Sequence, residues 1–108
     1  MMAALDSIER TDKGYLVDIN DWNEEIAAEL FAEEDIDPTQ EHWDVVKYVR
    51  DEVVAGDEPN ERGIMKAMGK IWGRKVTSKE MYAMFPGMPS KQGLKIGGCP
   101  MSTRKGGY

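Results

Sequence analysis

The sequence predicts a mainly α-helical protein, a compact bundle of four main helices with an N-terminal β-hairpin and a flexible C-terminal arm. Three observations predict this class. Apolar residues recur at three- and four-residue spacing in four stretches, which is the period of an amphipathic helix. Each stretch follows a residue type that caps helix N-termini. A chain of 108 residues has room for one hydrophobic core but not for two, so a single domain is expected.

The first expected element is a small β-hairpin over residues 7–17. Its turn signal is Thr-Asp-Lys-Gly at 11–14, between short runs that end at Arg10 and begin at Tyr15. Polar residues followed by glycine are typical of the tight turn between two paired strands.

Helix one is expected to begin with Asn20 or Asp21 as its cap and to end near Asp35. Its apolar stripe consists of Trp22, Ile26, Ala27, Leu30 and Phe31. These residues fall on one face at helical spacing, so this face should be buried.

Helix two should begin with Asp37 as its cap and Pro38 in its first turn, and should end at Gly56. Gln40 stands three residues after Asp37, at the reciprocal position of a capping box. The expected buried face consists of Val45, Val46, Val49 and Val53.

Helix three has the clearest pattern, with Asn60 as the cap and Gly73 as the closing residue. Its apolar positions are Ile64, Met65, Met68, Ile71 and Trp72. A short fourth helix should follow, because Thr77 and Glu80 form a capping-box pair and Pro86 stops the helix.

No further element is expected after Pro86. We therefore divide the chain into a helical domain at 1–86 and an arm at 87–108, which should be either more mobile than the body or held by docking on it. The arm contains several glycines and the lone cysteine, Cys99. A thiol on a flexible segment flanked by cations is an arrangement suited to carrying sulfur, because nearby lysines favour the thiolate.

Composition narrows the class of protein. The net charge is −6, but the two halves are opposites: residues 1–58 hold 18 acidic against 4 basic side chains, and residues 59–108 hold 2 against 10. No apolar run approaches the roughly 20 residues that span a bilayer. A single cysteine excludes an internal disulfide, and the first residues lack the pattern of a signal peptide. We expect a cytoplasmic protein without membrane association.

The residues that usually carry chemistry give little support for an enzyme. His42 is the one histidine, and we interpret it as a structural or surface residue because metal sites need several ligands at matched spacing. No Ser/His/Asp or Cys/His pair is suggested by local spacing. The sequence therefore indicates no catalytic residues, no metal and no cofactor.

Four basic residues recur every four positions on helix three: Arg62, Lys66, Lys70 and Arg74. Such a row is usually a solvated face, but it is also suited to an acidic protein or to phosphate. A pI near 4.8 argues against strong affinity for nucleic acid. For binding a protein partner, the candidate residues are Arg62, Lys66, Lys70, Lys91 and Lys95.

Four segments carry a resemblance to a known family. They are EHWDVVKYVRD at 41–51, MKAM at 65–68, MYAMFP at 81–86 and KQGLKIGGCP at 91–100. In order and spacing they resemble the DsrC/TusE family, and the likeness covers nearly the whole chain.

The resemblance implies a helical fold with an N-terminal hairpin and a mobile C-terminal arm. It also implies sulfur trafficking without a stand-alone enzymatic activity. Members act as the gamma-type partner of dissimilatory sulfite reductase, or pass persulfide sulfur in the relay that thiolates a tRNA wobble uridine.

The arm departs from the family pattern in its cysteines. Members carry a penultimate cysteine that accepts sulfur, and sulfite reductase partners add an upstream one. Aligned without gaps on residues 95–98, this chain has Leu94 at the upstream position and Lys105 at the penultimate one. Cys99 instead replaces the leucine before the family's proline, six positions short of the acceptor.

Three hypotheses follow from this departure. The chain is a non-carrier or regulatory paralogue that docks on sulfite reductase or sulfur-relay proteins. Alternatively, it carries persulfide sulfur on Cys99, or it is a nucleic-acid-binding regulator that uses the basic row. We favour the first, because Lys105 cannot hold sulfane sulfur and no second thiol resolves a persulfide within the chain. The sequence leaves the oligomeric state open.

Overall fold

The computed structural model describes residues 7–100. Its elements are a 3-10 turn at Ile19–Asp21 and the helices α1 (Glu24–Glu33), α2 (Gln40–Val54), α3 (Glu61–Trp72), α4 (Ser78–Met84) and α5 (Pro89–Ile96). The mainly helical class and all four expected helices are confirmed. Helix α5 is an additional helix that the sequence analysis missed. No helix within 7–100 is both long and apolar enough to cross a membrane.

The expected N-terminal hairpin is reduced to a turn. One antiparallel bridge joins Arg10 to Leu16, and the Thr11 amide donates to the Tyr15 carbonyl at 2.7 Å. No strand forms within residues 7–100. The reason is that an isolated two-stranded ribbon is marginal without a third strand or a broad apolar face. Here Arg10 instead forms an ion pair with Glu33 on α1.

Helix α1 begins later than expected. Its N-cap is Asn23, whose side chain accepts from the Ile26 amide at 2.9 Å. The predicted caps Asn20 and Asp21 lie instead in the 3-10 turn, which Asp18 caps. The start of α1 was misplaced because several Asp and Asn residues lie within a few positions here. Each of them is a possible N-cap by residue type.

Helix α2 also has a different cap from the one expected. Thr39 is the N-cap instead of Asp37, and His42 fills the reciprocal position instead of Gln40. Gln40 donates to Asp44 on the same helix. The predicted caps of the other two helices, Asn60 and Thr77, are confirmed.

The core forms around α2 and α5, the pair of helices with the most extensive contact. Helix α5 packs across α2 and also touches α1, α3 and α4. The approach of α5 to α2 is close at Gly93, where a Cβ would lie 3.0 Å from a methyl of Val49. The buried apolar side chains are Tyr15, Leu16, Ile26, Ala27, Leu30, Phe31, Ile36, Val45, Val46, Val49, Ile64, Met68, Val76, Met81, Phe85, Leu94, Ile96 and Cys99.

Residues 87–100 are therefore packed on the body, which is one of the two outcomes expected for the arm, but they also form a helix that was not expected. Pro86 and Gly87 were interpreted as the end of helical structure, but Pro89 stands in the first turn of α5. Proline is well tolerated there, because the first amides of a helix have no intrahelical partner. The division into a domain at 1–86 and an arm at 87–108 stays a prediction, and residues 101–108 lie outside the described residues.

Candidate functional site

Cys99 lies at the end of α5 in a tight C-terminal turn. The Cys99 amide donates to the Leu94 carbonyl at 2.9 Å, and the Gly98 amide donates to the Lys95 carbonyl at 3.2 Å. Gly98 has φ 70°, in the left-handed region that glycine adopts without strain. These bonds define a Schellman motif, in which the residue after the glycine commonly makes an apolar contact with the helix it follows. Cys99 stands at that apolar position.

The Cys99 thiol is fully buried. Burial raises the pKa of the thiol from its ordinary value of 9.0 to about 11, although Arg50 opposes the shift. The thiol is therefore neutral at physiological pH, and a neutral thiol is a poor nucleophile. Lys95, expected to favour the thiolate, is instead hydrogen-bonded to Glu34 at 2.8 Å.

Two side chains from the body hold the end of α5, and we call Arg50 and Trp22 the clamp. The Trp22 indole donates to the Ile96 carbonyl at 2.7 Å. The Arg50 guanidinium donates to the Gly97 carbonyl at 2.8 Å and to the Ile19 carbonyl at 3.0 Å. The guanidinium also lies 4.4 Å from the centroid of the Trp22 ring. The clamp thus satisfies carbonyls that a helix end leaves without intrahelical partners.

The clamp was missed by the sequence analysis. Trp22 was assigned to the apolar stripe of helix one, and Arg50 was not singled out. Trp22 also packs directly on Gly98, where an added Cβ would come within 2.6 Å of the indole. The signal in the sequence was the pair Gly97-Gly98, which marks a close approach of backbone to another group.

Two carboxylates from the body hold α5, one at its start and one further along the helix. Glu61 is buried, and its carboxylate accepts from the Ser90 amide at 2.7 Å. Glu34 accepts from Gln92 and from Lys95. Burial acts to raise the pKa of Glu34, but the hydrogen bonds from Lys95 and Gln92 outweigh it and leave the pKa below its ordinary value.

The candidate partner-binding cations divide into two groups. Arg62, Lys66, Lys70 and Lys91 are exposed and form no ion pair within residues 7–100. Lys95 is mostly buried against Glu34 and is not part of an open surface. We call Arg62, Lys66 and Lys70 the basic strip. Arg74, which follows the strip in sequence, is already paired with Glu41 and Glu80.

His42 has a structural place in the fold. Its Nδ1 accepts from the Thr39 amide at 3.0 Å, so the proton lies on Nε2, which donates to the Met84 carbonyl at 3.1 Å. The ring also packs against Phe31 and Phe85. Both nitrogens are occupied, and no cluster suited to a metal ion occurs within residues 7–100.

We expect Arg50→Met to make Cys99 reactive in the folded protein. The change preserves the apolar stem but leaves two carbonyls without the guanidinium, and each lost charged hydrogen bond costs about 1.5 to 3 kcal/mol. Local opening at the end of α5 should therefore rise at least about tenfold. The rate of thiol labelling by an aromatic disulfide under native conditions measures this. Arg62→Met is the matched control, and equal rates in the two variants would contradict the clamp.

We also expect the thiol to make stability depend on alkaline pH. Its folded pKa is raised, so its contribution is fully present below about pH 9 and is lost as the pH rises toward 11. The measurement is the free energy of unfolding in urea at about pH 8 and about pH 10.5, in wild type and in Cys99→Val. Between these two pH values the wild type should lose more free energy of unfolding than the variant does. Comparing the two proteins cancels the contributions of the tyrosines, which both contain. An identical loss in both proteins would argue against a buried thiol.

Comparison with known proteins agrees with this fold. The family model described as "DsrC like protein" matches residues 3–104. Sulfurtransferase TusE of Escherichia coli strain K12 is 38% identical over 99 residues, which cover 90% of this chain and 91% of that protein. The solution structure of DsrC from Allochromatium vinosum has a TM-score of 0.80 and 31% identity, covering 90% of this chain and 88% of that one.

A second solved structure is similar. The oxidised gamma-subunit of the dissimilatory sulfite reductase from Archaeoglobus fulgidus, also called DsrC, has a TM-score of 0.78 and 29% identity, with 90% of each chain covered. The family match, the curated relative and both structures extend over nearly the whole chain. The chain therefore belongs to the DsrC/TusE family of sulfur-metabolism proteins.

Proposed function

We propose that this chain is a non-carrier, regulatory member of its family that docks on sulfite reductase or on sulfur-relay proteins. The observation that carries the proposal is the buried Cys99 at the apolar position of the α5 turn. A carrier thiol has to be exposed and at least partly ionised to accept and release sulfur. Cys99 has neither property.

The position of Leu94 supports the same proposal. It stands where members that partner sulfite reductase have their upstream cysteine, and its side chain is buried in the core. A small buried thiol behaves as an apolar residue, so a leucine-to-cysteine exchange at position 99 is compatible with a purely structural role. Lys105 at the family's acceptor position offers an ammonium group, which cannot form a persulfide.

Docking without sulfur transfer needs a binding surface on the body, and the basic strip is suited to that role. The basic strip is exposed and lacks ion pairs within the described residues. Cations arranged in this way favour fast encounter with an acidic partner. We assign the protein an accessory role and no stand-alone enzymatic activity, although its curated relatives are named sulfurtransferases.

One observation favours the alternative of a carrier that uses Cys99. Arg50 lies close enough to lower the pKa of the thiol, although burial dominates. Opening of the clamp would expose the thiol beside a cation. The third hypothesis, a nucleic-acid-binding regulator, gains nothing from the relatives, which are named for sulfur transfer and sulfite reduction.

The carrier and non-carrier functions are separated by mass spectrometry after incubation with a persulfide donor. We expect no stoichiometric gain of about 32 Da per sulfur atom on the native protein, because the thiol is buried and neutral. Cys99→Ser serves as the control for adducts elsewhere, and urea-unfolded wild type shows that the donor is competent. A gain on native wild type that a partner protein can remove would establish the carrier instead.

Docking through the basic strip is tested by charge reversal. Arg62→Glu/Lys66→Glu/Lys70→Glu should weaken binding to purified dissimilatory sulfite reductase about tenfold or more, or about 1.4 kcal/mol, because the attraction becomes repulsion. The melting temperature should change little, since surface charges contribute little to stability.

The matched control reverses three other exposed lysines, Lys13→Glu/Lys47→Glu/Lys79→Glu. It has the same net charge as the strip variant but leaves the strip intact. Equal retention of sulfite reductase by both variants would remove the strip from the docking surface. Failure of the wild type to bind would remove sulfite reductase as the partner.

A further inference from the structure

The backbone at the start of α5 is strained. Met88, the N-cap residue of α5, has φ 89° and ψ 115°. A residue with a side chain adopts a positive φ only at a cost, and such strain persists where surrounding contacts enforce it. The Met88 side chain forms no capping hydrogen bond that would offset this cost. The packed position of α5 therefore carries backbone strain at the point where the helix begins.

Glu61 adds a second cost at the same place. It is only 4% exposed. One carboxylate oxygen accepts from the Ser90 amide at 2.7 Å, but the other, Oε2, has no hydrogen-bond partner within residues 7–100. Burial of an unpaired carboxylate oxygen is unfavourable, and water would hydrate it if α5 moved away. We call Glu61 and its hydrogen bond to Ser90 the latch, a contact that holds α5 but is incompletely satisfied.

Residues 87–100 depend on other elements along their whole length. The latch holds the start, Glu34 holds the middle through Gln92 and Lys95, and the clamp holds the end. With eight residues, α5 is too short to be a stable helix on its own. Loss of contact at one end should therefore weaken the helix at the other end, so that the segment is packed or released as a whole.

The packing beneath α5 favours the same all-or-none behaviour. An added Cβ at Gly93 would lie 3.0 Å from a methyl of Val49, and one at Gly98 would lie 2.6 Å from the indole of Trp22. Backbone this close to neighbouring side chains cannot slide without clashes. Close-packed contacts switch between discrete arrangements instead of deforming gradually. Small displacements of α5 are therefore opposed, whereas full release removes these contacts together.

We propose that residues 87–100 form a strap that opens as one unit at Met88, and that the latch at its start controls access to the Cys99 thiol at its end. Opening relieves the strained Met88 backbone and hydrates the Oε2 atom of Glu61. It also brings the thiol into contact with solvent. This inference goes beyond the proposed function and holds whether or not the chain carries sulfur.

Amide hydrogen exchange of the wild type tests whether the opening is single. The amides of Gln92 and Cys99, near the two ends of the strap, should be protected equally within about threefold, and at least about tenfold less than the Val49 amide on α2. A larger difference between the two strap amides would mean that one end frays alone. Protection of both amides equal to that of Val49 would mean that they open only in global unfolding. Either result would overturn the proposal.

Access to Cys99 is measured by its rate of labelling with an aromatic disulfide under native conditions. Urea below the unfolding transition should raise this rate only weakly, because opening of the strap exposes less surface than global unfolding does. A labelling rate that follows the urea dependence of global unfolding at every concentration would refute a separate opening of the strap.

Two changes at the start of the strap should expose the thiol at its other end. Glu61→Ala removes the acceptor of the Ser90 amide, and Gly87→Ala places a Cβ 2.9 Å from the Gln92 carboxamide. Each variant should raise the labelling rate of Cys99 about tenfold, with the same weak dependence on urea.

Glu25→Ala is the matched control, since it removes an exposed carboxylate from the first turn of α1 and should leave the labelling rate as in the wild type. Rates equal to the wild-type rate in both strap variants would show that the thiol is reached from the clamp end alone, which contradicts the proposal. Should Glu61→Ala fail to fold, Gly87→Ala and the hydrogen exchange of the wild type decide the question.

Discussion

The fold depends on how the carboxyl end of α5 is closed against the body. A helix end leaves carbonyl groups without partners, and burying them unpaired is costly. Here the clamp supplies an indole N–H and a guanidinium from elements more than 40 residues away in sequence. With those carbonyls satisfied, Leu94, Ile96 and Cys99 are buried, and α5 completes the core between α1, α2 and α3.

The same closure decides the chemistry available to the one thiol. The pKa of a cysteine at an exposed tail position is set mainly by nearby charges, whereas the pKa of Cys99 is set mainly by desolvation. Arg50 has two opposing effects: its positive charge acts to lower the pKa of the thiol, yet its hydrogen bond to the Gly97 carbonyl holds the turn that buries the thiol. Structure and reactivity are therefore opposed at this position, and a change that frees the thiol also removes support from the fold.

The sequence was sufficient to predict the helix ends that are set by residues within the same helix turn. Asn60, Gly73 and Thr77 act within one turn of their own helices, so their roles follow from residue type and spacing. The caps at Asn23 and Thr39 were misassigned because several capping residues compete within a few positions. Helix α5 was missed because its stability comes from distant groups. Its local sequence contains Gly93, a poor helix former, and its eight residues are too few to form a stable helix in isolation.

The candidate site, like the fold, was predictable only in its local features. The likeness to the family and the unusual cysteine were visible in the sequence, but the burial of Cys99 was not. Burial depends on Trp22 and Arg50, which bind the Ile96 and Gly97 carbonyls from 74 and 47 positions away. The pair Gly97-Gly98 signals a close approach of the backbone but does not identify these partners. Lys95 shows the same limit, because its partner Glu34 is 61 positions away.

The environment of the Trp22 indole has a spectroscopic consequence. Its indole lies between Gly98 and the Arg50 guanidinium and donates to the last carbonyl of α5, whereas Trp72 contacts Arg74 and Asp44, and Trp43 packs on Phe31. Emission from Trp22 should therefore respond when the end of α5 leaves the body, because the indole then loses its hydrogen bond to the Ile96 carbonyl and becomes exposed to water. A chain with Trp43 and Trp72 replaced by phenylalanine would carry a built-in optical reporter of the clamp, with no label attached.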